Sequence, residues 1–203
     1  MEKIRNLFFH TKMTWAHVIL FAVIVAVVTA ALLTIPLFND TSVENIGVSF
    51  ECWILFALIV ILSCEKPLEA GAKAFVFFLI SQPLIYLLQV PFNPLGWQIF
   101  MYYPRWLLLT VLCFPGGIIA WYVKKDTLLS GLILAVATGI LAVEFVYFLN
   151  SFVRHPPKYV LSAVFCAALA VVLIFALLRG RKNRIVAGAI TLIAALVMCF
   201  LTF

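Results

Sequence analysis

KAFVFFLISQPLIYLLQVPFNPLGWQIFMYYPRWLLLTVLCFPGGIIAWYV, residues 73–123, holds two apolar segments, each with a proline near its middle. Each is long enough to cross a bilayer, which takes about 20 residues of helix. Pro83 interrupts the first, and Pro115 followed by Gly116 and Gly117 interrupts the second. A proline inside a helix removes one N–H and displaces the carbonyl four residues back, so the carbonyls of Leu79 and Val111 are predicted to lack helical partners. Hydrocarbon offers no water to take up those bonds, so other protein groups or a wet cavity must do so. Paired interruptions at matched depth point to a binding site, whereas a single proline in a spanning helix most often only kinks it. The third and fourth spans are therefore expected to be kinked or broken at Pro83 and at Pro115-Gly116-Gly117.

Composition sets the class. Of 203 residues, 66% are hydrophobic and 11% charged, with a mean hydropathy of +1.19. Soluble domains carry about a quarter charged residues, so this reads as an all-α, polytopic membrane bundle forming a single integral membrane domain over residues 1–203. The net charge of +6 sits in short loops, where lysine and arginine set orientation; it does not indicate nucleic acid. The five cysteines, Cys52, Cys64, Cys113, Cys166 and Cys199, are scattered singly with no CxxC, and read as small buried hydrophobes. The apolar run after the basic N-terminus reaches Phe38, too long for a signal peptide core, and is kept as the first span.

Seven spans are predicted: Trp15–Phe38, Ile46–Cys64, Lys73–Phe92, Pro104–Val123, Leu128–Asn150, Tyr159–Leu178 and Ile185–Phe203. Ala22, Ala26 and Ala30 recur every four residues on the first and allow close helix approach. Between the third and fourth, Trp97, Tyr102, Tyr103 and Trp106 favour the headgroup level. With the N-terminus inside and the C-terminus outside, Lys3, Arg5, Lys12, Lys66, Lys73, Lys124, Lys125, Arg179, Arg181, Lys182 and Arg184 are cytoplasmic. That is eleven of fourteen basic residues, leaving Arg105, Arg154 and Lys158 outside. The positive-inside rule supports this orientation.

On that topology Glu51, Arg105 and Glu144 fall at similar depth in the outer third of the membrane. An intramembrane carboxylate costs several kcal/mol unless paired, hydrated or protonated. Arg105 is the natural partner for one of them, leaving the other to accept a cation or proton; the bland reading is a buried ion pair that only fixes helix register. Gln82, Tyr86 and Gln89 are spaced four then three, so they share one face of the third span beside Ser81. That stripe either lines a cavity or makes interhelical hydrogen bonds. His10, His17 and His155 do not face one another within the membrane, and HExxH, GxSxG and GxxxxGK[ST] are absent. No metal, cofactor or catalytic set is expected.

These features predict a multi-pass protein of the cell membrane that binds or transports a small solute or ion. Glu51, Gln82, Tyr86, Gln89, Arg105 and Glu144 form the expected site, with Pro83, Pro115, Gly116 and Gly117 as hinge positions. Expected partners are membrane lipids, a small solute or cation, and a second copy or another membrane subunit. The alternatives are a non-catalytic membrane subunit, whose polar groups only lock helices together, and a lipid-modifying enzyme, for which no nucleophile set is found.

Overall fold

Backbone polar groups in an apolar medium must be satisfied within their own segment, and helix does so without a partner strand. The computed structural model describes residues 12–39, 41–154 and 159–202. Lys3, Arg5, His10, His155 and Lys158 of the sequence reading lie outside them. Among the described residues all regular structure is helical. The α-helices are α1 (Trp15–Thr34), α2 (Ser42–Val48), α3 (Phe50–Leu62), α4 (Pro67–Gln89), α5 (Tyr103–Ala120), α6 (Leu128–Arg154), α7 (Val160–Leu177) and α8 (Arg181–Thr202). Short 3₁₀ segments cover Pro36–Phe38, Gly96–Tyr102 and Trp121–Lys125. The starts follow local chemistry: the Thr14 hydroxyl accepts from the His17 N–H, the Thr41 hydroxyl from the Glu44 N–H, and prolines open α4 and α5 where a missing N–H costs nothing.

Six helical segments are long and apolar enough to cross a membrane, and the bent pair α2–α3 brings the number to seven if it forms one span. Such a set fits a multi-pass membrane protein. Neither proline breaks its helix: α4 runs through Pro83 and α5 through Pro115, so neither is a pair of half-helices. A sharp turn lies in the predicted second span, where α2 and α3 meet at 44° across Ser49, which is in extended conformation. Gly47 and Ser49 form the kind of glycine–serine pair at which helices kink. The Trp53 indole N–H donates to the Val48 carbonyl at 3.2 Å across the break, and the Ser49 hydroxyl and N–H both donate to the Asn45 carbonyl.

Close contacts sort the described chain into two units, residues 41–56 with 122–154 and 159–202, and residues 12–39 with 57–121. In the second unit α4 packs on α1 and α5. Val18, Ala22, Ala26 and Ala30 of α1 are buried, as the small-residue stripe predicts, and Phe21 stacks on Phe77 with ring centroids 5.3 Å apart. The α4–α5 seam closes on two glycines, with Ile118 and Ala74 beside them. A Cβ on Gly71 would lie 2.5 Å from the Phe114 carbonyl oxygen, and one on Gly117 would lie 2.9 Å from the Gly71 Cα. Gly117 therefore serves close packing, while Gly116 faces open space.

In the first unit α6 packs on α7 and α8. Small residues again set the spacing: Gly131 lies against the backbone of Asn183, and the Thr138 and Thr191 hydroxyls meet at 2.6 Å. A polar clasp closes the turn before α6 onto the start of α8. Asp126, at φ 47°, accepts from the N–H groups of Arg179 and Gly180 at 3.1 and 3.0 Å. Asn183 Nδ2 donates to the same carboxylate at 3.1 Å and to the Asp126 carbonyl at 3.0 Å.

Two stability predictions follow from these seams. Gly117→Ala is expected to destabilise the detergent-solubilised protein by about 1–3 kcal/mol, the usual cost of overpacking, and Gly116→Ala to leave it nearly unchanged, read by thermal or denaturant melting. For the clasp, burial works to raise the Asp126 carboxyl, but hydrogen bonds from Asn183, Gly180 and Arg179 outweigh it and hold the group below the usual carboxylate range. A depressed folded-state value contributes stability that is fully present above the unfolded value of about 3.9 and lost as pH falls through the folded one. Asp126→Ala should therefore lower stability by about 1 kcal/mol at neutral pH, and the gap between the melting curves of wild type and variant should close below about pH 4.

Candidate functional site

The break at Ser49 makes Phe50 the first residue of α3, and the opening N–H groups of any helix have no partner inside it. One is met from another helix: Glu144, well inside α6, accepts from the Phe50 N–H through Oε1 at 3.4 Å. The next residue, Glu51, is fully buried. Among the described residues neither of its carboxylate oxygens has a hydrogen-bond partner, nor does the second oxygen of Glu144, and neither carboxylate has a cationic side chain of its unit paired with it.

Cys166 of α7, also fully buried, completes the group. One donor atom from each of Glu51, Glu144 and Cys166 lies within 4.8 Å of the others. Cys166 is held in an apolar cluster with Phe148 and Ala163, against Phe145 and Tyr159, and the Ser162 hydroxyl donates to the Ser42 carbonyl at 3.3 Å, tying α7 to α2. Two apolar grooves border the group. One of about 540 Å³ is lined by Phe50, Gly139, Val143, Glu144, Ile190 and Ala194. Another of about 720 Å³ reaches Cys166 between Ala142, Phe145, Ala170, Gly188 and Thr191.

Two carboxylates side by side in low dielectric repel each other and have lost their water. Such a site attracts positive charge.

Of the residues expected from sequence, the structure brings Glu51 and Glu144 together. The others belong to the second unit. Gln82 is buried with its Nε2 unpartnered, and beside it the Ser81 hydroxyl is likewise buried and unpartnered. Gln89 turns back to donate to the Ile85 carbonyl at 3.1 Å, and Tyr86 packs against Phe100 and Tyr103 at 5.7 and 5.9 Å between ring centroids. Arg105 is exposed in the first turn of α5. Pro83 and Pro115 lie within continuous helices.

Cys166 was not expected. No short spacing links it to either glutamate, and the one available signal was depth. It stands seven residues into its predicted span, Glu51 five residues into its own, and Glu144 six from the end of its own.

Comparison with protein families, with curated proteins and with solved structures finds no match.

Proposed function

We propose that this chain is a multi-pass protein of the cell membrane that binds a cation, or the cationic group of a small solute, between Glu51 and Glu144, and moves it across the bilayer. The observation that carries the reading is the fully buried Glu51 carboxylate, whose two oxygens have no hydrogen-bond partner beside a second carboxylate that also has a free oxygen. Removing one partner of a buried pair is costly, and so is a buried charge that never had one. A chain keeps such a group where a ligand supplies the missing charge. Gln82, Tyr86, Gln89 and Arg105 are kept as candidate polar groups of the second unit by itself, with Pro83, Pro115 and Gly116 as points of backbone give there. It takes α2 and α3 as one bent span, which makes seven, with the N-terminus inside.

Thermal melting of the purified protein in detergent, against sodium, potassium, magnesium, zinc and small organic amines, tests the binding. At a hundredfold excess over Kd a ligand stabilises the folded state by about 2.7 kcal/mol. At least one is expected to raise the wild-type melting temperature and to leave Glu51→Gln and Glu144→Gln unmoved. Without ligand, Glu51→Gln should be no less stable than wild type, because it removes a charge that nothing in its unit balances. Equal shifts in wild type and variants would place binding elsewhere and overturn the reading. For the topology, fusions at the C-terminus are expected to give active alkaline phosphatase and non-fluorescent green fluorescent protein; the opposite pattern would mean six spans or a reversed chain.

A further inference from the structure

We infer that Cys166 joins Glu51 and Glu144 to form a site for a thiophilic divalent metal ion of the zinc class. This deepens the cation reading and rests on it, adding which cation and which third ligand. The three donor atoms already lie within 4.8 Å of one another, on three different helices. Ligands held about 2.0–2.3 Å from a zinc ion at the tetrahedral angle stand about 3.3–3.8 Å apart. A closing movement of about 1 Å between the donor atoms brings all three to bonding distance. No existing bond opposes that movement at Glu51, and Glu144 can offer its free oxygen while the other keeps the Phe50 N–H.

Donor chemistry narrows the ion. Carboxylates alone suit magnesium, calcium or manganese, whereas a thiolate selects zinc and its softer relatives. A dication offsets the two carboxylates, and ligation by sulfur releases the thiol proton to solvent, which leaves one net negative charge for a ligand at the open position to balance. Three protein ligands leave the fourth tetrahedral position open, the arrangement of sites that exchange what they bind rather than of closed structural zinc sites. One groove borders the group at Glu144 and another at Cys166.

The test uses the full chain in detergent and cobalt(II) as a spectroscopic stand-in for zinc. Titration is expected to produce a near-ultraviolet thiolate-to-cobalt band together with the visible bands of a tetrahedral ion, saturating at one equivalent and abolished by added zinc. Cys166→Ser should lose the thiolate band and bind zinc more than about a hundredfold more weakly, beyond what the loss of an outer-shell partner commonly costs. Glu51→Gln and Glu144→Gln should also weaken binding. Cys52→Ser, which removes the neighbouring thiol, should keep the band and so control for folding. Absence of the band in wild type, or its survival in Cys166→Ser, overturns the inference. If sodium, potassium or magnesium still shift melting in a way that needs both glutamates, the cation reading stands without the metal; if no cation binds at all, both fall.

Discussion

A carboxylate enclosed by protein, with nothing in its unit to balance it, is the constraint on which the first unit turns. Leucine or methionine at position 51 would fill a similar space without the cost of taking a charge out of water, and replacing buried charges with apolar groups is often stabilising. What sets up the arrangement is the turn at Ser49. It ends one helix and begins another, so that Glu51 stands in a first turn whose N–H groups carry partial positive charge, and the side chain from α6 reaches that same end. The local geometry favours negative charge and leaves the balancing charge to come from outside the protein.

The second unit shows how the same chain treats a buried charge that needs no ligand. Lys73 is almost fully enclosed in α4, yet its ammonium donates to Glu69 Oε1 at 2.6 Å and to the Met13 carbonyl, and lies 5.6 Å from the centre of the Trp15 ring. Every proton of that group has somewhere to go. The contrast gives the orphaned oxygens of Glu51 their weight, because a helical bundle has ready means of satisfying a buried ion when only stability is at stake.

Much of this was legible in the sequence, for reasons that also mark where legibility stops. Span positions follow from runs of apolar residues, a local property, and all but the second coincide with single helices to within a few residues. Glu51 and Glu144 stood out because a carboxylate in such a run is costly wherever its partners lie. The prolines allowed either a kink or a break, and a sequence does not choose between them: α4 and α5 continue through theirs as single helices. The break at Ser49 carries no strong signal of its own: the Ser49 hydroxyl donates to the Asn45 carbonyl and the Trp53 indole N–H to the Val48 carbonyl, contacts visible only in the fold. Cys166 was invisible for a similar reason, since its meaning comes from two side chains more than twenty residues away in sequence.

The glycine seam between α4 and α5 has a mechanical consequence. Helices that meet through side chains can slide by switching rotamers, each of which absorbs part of a displacement. Backbone pressed against backbone at Gly71 and Gly117 has no such play, so shear between these two helices would bring main-chain atoms into collision. The crossing at Gly71 and Gly117 therefore holds the two helices in one register, and displacement of one carries the other with it at that point.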